Sequence, residues 1–394
     1  MAESLETLQE MKAMIPAGPY DHERKLKGRC HAPALKAWKQ KGGKILGFQC
    51  VYIPEEIIHS AGVLPVRLMG GIREMPLEEA TAYLYHNCCS FIRSSLQLVV
   101  NGHYDFVDGY VGGSNCDCPR RFYDVATHYD LFPFTHIVYV PRKRHEGAHE
   151  IYKQEIKKFI KAFEEHFKVT VTDDALLESI KVYEKTRELF RKLYELRKSD
   201  APPITGAEVI DVYNAMQMMP REQFNPLLEK LVHEAGTAKR HFDGRVRLMI
   251  NGSPLNNAEF VQVIEKEGGI IVVEELCTTT RYWWNSVKVN PGENPLDALC
   301  RRYLNNEPCA RMKPSEERWE SALSRARGWR VDGIVSQTIR YCAAYGNDQP
   351  MLRKKLEGEG LPVLELDVEY GMAGLGQVKT RVQAFLEMIK GRQQ

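Results

Sequence analysis

The sequence predicts an α/β protein with two mostly parallel sheets, one in each half of the chain, and a stretch of long helices between them. Short apolar runs alternate with amphipathic helical periods over residues 41–146 and again over 237–394, the strand–helix–strand order of parallel sheets. Between about 147 and 236 the runs give way to charged helices with apolar residues three and four apart. With a helix-forming, charged segment over 1–40, this divides the 394 residues into four parts, and a chain of that length can bury more than one core.

In the first half, the run from Lys44 to Pro54 supplies a strand ending at Cys50, and Pro54 opens a helix through Glu55–Ala61. Gly62 stops that helix and Leu64–Leu68 is the next short strand. Residues 78–100 are expected as one amphipathic helix carrying Cys88 and Cys89. Tyr104–Val111 then reads as a buried strand that breaks at Gly112-Gly-Ser-Asn115 into the loop of Cys116 and Cys118, before another helix. A loop at the carboxyl end of such a strand is the usual ligand crevice of an open α/β sheet.

In the middle, Ile156, Phe159, Ile160 and Phe163 mark one long helix, and Leu177, Ile180, Tyr183 and Leu189 a second, with Thr172 or Asp173 as its cap. Asp200–Ile204 interrupts the array, which reads as a helical insert or linker. The second α/β unit begins with a strand over 245–252 and continues with a helix near 256–267 and a strand over 269–277. Strands over 332–336 and 361–367 follow, and an amphipathic helix over about 378–390 closes the chain. Cys277 and Cys342 again fall just past strands. The halves look like one architecture used twice, although no residue-level repeat shows it.

Composition excludes several functions. A net charge of +2 offers no broad basic field for nucleic acid or an anionic membrane. No apolar run is long enough to span a bilayer and the polar start lacks a signal-peptide pattern, so a cytoplasmic location is expected. Gly374–Thr380 lacks phosphate-loop spacing, and no Gly-x-Gly-x-x-Gly follows a strand; neither bound ATP nor a dinucleotide or flavin is expected on this chain.

Ten cysteines in a reducing compartment point to buried small side chains, reactive thiols or metal ligands rather than disulfides. Zinc favours paired knuckles of short spacing, and this chain has only Cys116-Asp-Cys118 and the Cys88-Cys89 doublet. A cubane iron–sulfur cluster accepts thiolates arriving from separate loops, such as those of Cys50, Cys89, Cys116 and Cys342. Spacing leaves a cluster and ordinary buried thiols both open.

The stretch Gly47-Phe-Gln-Cys-Val-Tyr-Ile-Pro-Glu-Glu-Ile-Ile-His-Ser-Ala-Gly-Val-Leu-Pro-Val-Arg67 resembles the opening motif of the 2-hydroxyacyl-CoA dehydratase and ATP-dependent benzoyl-CoA reductase family. The resemblance continues through Cys89–Ser94, the Cys116 loop, Arg340-Tyr-Cys342, Leu361–Asp367 and Gln377–Phe385, covering about residues 40–390. It implies two Rossmann-like (flavodoxin-like) domains and an oxygen-sensitive 4Fe–4S subunit whose cluster ligands are Cys50, Cys89, Cys116 and Cys342, with Cys88, Cys118 and Cys277 as alternates. It also implies two partners, a homologous cluster-bearing subunit and a separate ATP-hydrolysing iron–sulfur activator that supplies electrons. The activity expected is reduction of an aromatic acyl-CoA; the alternatives are a 2-hydroxyacyl-CoA dehydratase and a subunit that only relays electrons or scaffolds its sister. A radical formed on the way must be shielded from water and oxygen, by a lid expected from the helices of 147–236 or from a related subunit. His59 is a candidate proton donor. Arg93, Arg120, Arg121 and Arg281 are candidates for CoA phosphates, since Arg grips such groups bidentately. Trp283 is a candidate stacking surface.

Overall fold

The computed structural model describes residues 4–15, 32–371 and 374–393; residues 16–31 of the N-terminal segment, Cys30 among them, lie outside these. The first part runs α1 (Glu6–Met14), α2 (Pro33–Gln40), β1 (Ile45–Phe48), α3 (Glu55–Ser60), β2 (Leu64–Arg67), α4 (Glu78–Tyr83), α5 (Ser90–Val100), β3 (Gly109–Gly113), α6 (Asp117–His128) and β4 (Thr135–Val138). The helical stretch contains α7 (Glu146–Phe167), α8 (Asp173–Leu196), α9 (Gly206–Met216) and α10 (Arg221–Thr237). The remainder is β5 (Val246–Gly252), α11 (Ala258–Lys266), β6 (Gly269–Glu275), α12 (Thr280–Trp283), α13 (Pro295–Leu304), α14 (Glu316–Gly328), β7 (Gly333–Ile339), α15 (Ala343–Gly358), β8 (Val363–Val368) and α16 (Leu375–Gln393).

The strands form two four-stranded, wholly parallel sheets with one topology: β2-β1-β3-β4 and β6-β5-β7-β8. β5 and β6 are buried at every position, as strands covered on both faces must be. In each sheet the chain leaves the first strand in one direction and returns on its other side, so a crevice opens at the carboxyl ends of β1 and β3, and of β5 and β7. Gly252 ends β5 at φ +124°, where a Cβ would run into the Gln337 carbonyl oxygen of β7. Only glycine lets those two strands close at that point.

Several elements differ from expectation. The strand expected over Tyr104–Val111 begins at Gly109, because residues 102–106 turn instead; the Tyr104 hydroxyl is tied to the Met69 carbonyl at 2.8 Å. β4 has no counterpart in the expected strands; its apolar residues, Ile137-Val-Tyr-Val140, begin only at its third position, and only Val138 of its four residues is fully buried. The helix expected over 78–100 is two helices: α4 ends at an extended Leu84, and α5 restarts after Cys89.

The helical stretch covers both sheets rather than standing apart. Tyr152, Ile156, Phe159 and Phe163 of α7 pack on Leu46, Phe48 and Val111 of the first sheet. Phe190 and Leu193 of α8, Val212 of α9 and Leu228 of α10 pack with Met249, Ile270 and Val272 of the second. Thr172 caps α8 by accepting from the Ala175 N–H, as expected. Buried ion pairs join the layers: Arg187 of α8 meets Glu56, and Arg221 of α10 donates to Glu55 Oε2 at 2.8 Å, both acids lying on α3. α1 buries Leu8 and Met11 on this array and is tied to it by Thr7 Oγ1 donating to Glu234 at 2.6 Å.

Candidate functional site: a thiol-lined cavity

Cys50 lies two residues beyond β1 and Cys116 three beyond β3, at the crevice of the first sheet. In the second sheet Cys277 follows β6, and Cys342 stands three residues beyond β7. Cys89, Cys116 and Cys342 are the N-cap residues of α5, α6 and α15. These thiols therefore sit beside three helix N-termini, whose free N–H groups and dipoles favour negative charge.

Cys50, Cys89, Cys116 and Cys342 all line one cavity of about 110 Å³, together with Cys277 and Cys309. By the measure that gives one water about 10–15 Å³, such a space holds roughly seven to eleven water-sized atoms. Among the described residues, no three His, Cys, Asp or Glu side chains converge tightly enough to hold a single metal ion. The thiols ring a void rather than a point.

Cys50 and Cys116 are partly buried residues of the cavity wall, and burial pushes both thiols up to about 12. Burial likewise raises Cys342. The protein alone thus keeps these sulfurs protonated. Cys50 donates its proton to Asn115 Oδ1 at 3.2 Å. The cations nearby are Arg67, with Nη2 3.3 Å from Cys277 Sγ, and Arg311, with Nη2 3.9 Å from Cys116 Sγ. Thiols that must ionise to bind anything, set among guanidinium groups and helix N-termini, suit an anionic guest held through sulfur.

The alternates separate from one another. Cys277 lines the cavity, whereas Cys88 and Cys118 do not. Those two form a group with Cys89 beside it: the thiols of Cys88 and Cys89 both donate to Cys118, raising the donors and lowering the acceptor, and the Cys89 N–H lies 3.4 Å from Cys118 Sγ.

The other candidates lie away from the cavity. His59 does not line the cavity: its Nδ1 lies 2.8 Å from the buried Ser179 Oγ and its Nε2 2.7 Å from Glu222, so the structure does not bring it to the thiols as a proton donor. Arg281 is fully buried in an ion pair with Glu275, and Trp283 packs on Tyr194 at 4.6 Å between ring centroids. Neither can reach a CoA phosphate or an aryl ring, because core packing already uses them. Arg93 donates to the Cys88 carbonyl at 3.0 Å, and Arg121 is exposed beside Asp124. Arg120 lines a surface groove of about 600 Å³ with Arg142 and Lys143.

Sequence reasoning missed Cys309, Arg311 and Gln49. Cys309 follows no strand and lies in a loop between Pro308 and Pro314, so only the bracketing prolines marked it. Gln49 adjoins Cys50 at the end of β1, and strand-end position was its one signal.

Residues 50–389 match the family described as 2-hydroxyglutaryl-CoA dehydratase, D-component. The chain is similar to YjiM of Escherichia coli (strain K12), a provisionally named dehydratase subunit, at 26% identity over 89% of this chain and 93% of that one. It is 26% identical to a benzoyl-CoA reductase subunit of Thauera aromatica, covering 91% and 94%. Identity to the (R)-phenyllactyl-CoA dehydratase beta subunit of Clostridium sporogenes is 24%, covering 90% and 94%. Two parallel sheets of one topology, with thiols at their facing carboxyl ends, accompany a family match over most of the chain: this protein belongs to the 2-hydroxyglutaryl-CoA dehydratase D-component family.

Proposed function

We propose that this chain is the iron–sulfur subunit of an ATP-dependent, benzoyl-CoA-reductase-type complex, in which Cys50, Cys89, Cys116 and Cys342 hold a 4Fe–4S cluster. The observation that carries the reading is the convergence of those four thiols, from loops up to 292 residues apart (342 less 50), on one cavity. The donor set fits: soft thiolates suit an iron–sulfur core, and a core of several atoms suits a ring of thiols that is too open for one ion. A bound cluster would supply single electrons at low potential. The chain's own part is to present four thiolates, to balance their charge with Arg67, Arg311 and three helix N-termini, and to keep the sulfurs enclosed.

At about 110 Å³ the cavity is below the roughly 300–1,000 Å³ of ordinary ligand pockets. An acyl-CoA must then reach the centre from outside this chain's core, in a cleft shared with another subunit. No lining residue comes from 147–236, so the helical stretch does not supply the lid, and a homologous subunit takes that role. Arg120, Arg142 and Lys143 line a groove that also takes in Ser114 of the Cys116 loop and are the cations proposed for CoA phosphates. The similarity to proteins that are themselves named as subunits supports a hetero-oligomer, and an ATP-hydrolysing donor is proposed as its second, transient partner.

A dehydratase is the second reading, favoured by the names of other relatives. Counting electrons separates the two. In anaerobic turnover with benzoyl-CoA, a reductase consumes electrons in proportion to product. If a 2-hydroxyacyl-CoA is converted after a catalytic dose of electrons and benzoyl-CoA is untouched, the dehydratase reading replaces ours.

A further inference from the structure

Another groove, of about 460 Å³, shares no lining residue with the thiol cavity or with the groove of Arg120. Its size is that of ordinary ligand pockets, roughly 300–1,000 Å³. Arg191 comes to it from α8, Arg301 and Arg302 from α13, and Trp284 and Lys288 from the segment between α12 and α13. Four cations line the groove and no carboxylate does.

Arg302 is only 5% exposed. Its Nε donates to the Asn285 carbonyl at 3.0 Å and its Nη2 to the Tyr282 carbonyl at 2.6 Å, which fixes the guanidinium plane. Nη1 has no hydrogen bond among the described residues, and it is not closed off from solvent. Nor does Arg302 form an ion pair among those residues: Glu56 and Glu184, which act on it through space, are both paired with Arg187. Burial, and the charge of Arg187, lower Arg302 from the usual guanidinium range. Buried guanidinium groups are normally paired, so one that is held by neutral carbonyls and open at one nitrogen lacks a counter-ion.

The other cations add to the positive field. Arg191 lies 3.7 Å from Glu184 and Arg301 is paired with Glu293, but neither acid lines the groove. Lys288 is exposed, and its carbonyl accepts from Arg301 Nη2 at 2.8 Å, which holds the loop beside α13. Trp284 forms a half-buried aromatic wall, one face of its indole covered by Arg325 at 4.1 Å. Several cations without an acid among them suit a ligand with more than one negative charge, and Arg forks match phosphate oxygens. An exposed aromatic wall beside them suits a base.

We propose that this groove binds a nucleoside diphosphate unit, with its phosphates on Arg302, Arg191, Arg301 and Lys288 and its base against Trp284. Side chains hold the anion, so no phosphate loop is needed. Two sources carry this chemistry, a free nucleotide such as ADP and the phosphorylated adenosine end of CoA. The proposal does not depend on what the thiol cavity holds.

The test is calorimetric titration with ADP of the native, anaerobically purified complex, free of ATPase activity, as wild type, Lys288→Glu, Arg302→Gln and, in the other groove, Arg142→Glu. Circular dichroism checks folding. ADP is expected to bind the wild type, adenosine to bind at least about tenfold more weakly, and Lys288→Glu and Arg302→Gln each to weaken ADP about tenfold or more. Arg142→Glu should leave ADP binding unchanged. Displacement of ADP by CoA would identify the source as CoA, and ADP that CoA does not displace would identify a free nucleotide. Absence of ADP binding to the wild type, equal binding of adenosine, or affinity that Lys288→Glu does not weaken would overturn the proposal. Lys288 is exposed, so that variant decides the matter even if Arg302→Gln fails to fold.

Discussion

At the residue scale, the cavity depends on small side chains as much as on thiols. A Cβ on Gly113 would lie 3.0 Å from Cys50 Cβ and 3.2 Å from its sulfur. Gly113→Ala should therefore push the Cys50 thiol out of position at a cost of about 1–3 kcal/mol. The expected result is a cooperatively melting protein with less than half of the wild-type iron; unchanged iron would show that Cys50 is not held in the geometry described. Legibility at this scale followed position in the chain. Thiols at strand ends could be found from the sequence because the strand places them, whereas Cys309 depends on a loop packing across from the other half. Arg281 and Trp283 were misread because residue type alone cannot tell a ligand-facing guanidinium or indole from one already used by Glu275 or Tyr194.

At the scale of elements, the break between α4 and α5 matters most, since it makes Cys89 an N-cap rather than a mid-helix residue. The periodicity of residues 78–100 continues across that break, and so it is not visible in the pattern. Enclosing the strand-end thiols has a consequence for stability. In the metal-free protein Cys50 and Cys116 keep their protons up to about pH 12, while in the unfolded chain they lose them near 8.5. The folded state then binds more protons above pH 8.5, so stability is fully present below that pH and falls as pH rises toward 12, by up to about 1.4 kcal/mol per unit for each thiol. Denaturant melts of the metal-free protein at pH 8 and pH 10 should differ in this direction; equal stability would contradict the burial of these thiols. The joint between the helical array and the first half is testable too. Glu56→Ala removes one of the two carboxylates that meet the fully buried Arg187, leaving Glu184 at 2.6 Å, and should cost about 1.5–3 kcal/mol. A loss below 1 kcal/mol in urea melts would mean that the pair does not anchor α8 to α3.

For the whole molecule, the division into two parallel sheets was legible because strand and helix periods alternate twice. Their facing carboxyl ends were not, because no local pattern encodes how one half meets the other. That juxtaposition brings scattered cysteines to one cavity, and it leaves little room there for a substrate. The most direct measurement is the metal content of the native, anaerobically purified complex, compared among wild type, Cys116→Ala and Cys342→Ala. Iron with equimolar acid-labile sulfide in the wild type, and loss of most of it in both variants, is the expected result. Stoichiometric zinc with no iron in the wild type would contradict it and return these thiols to a structural role.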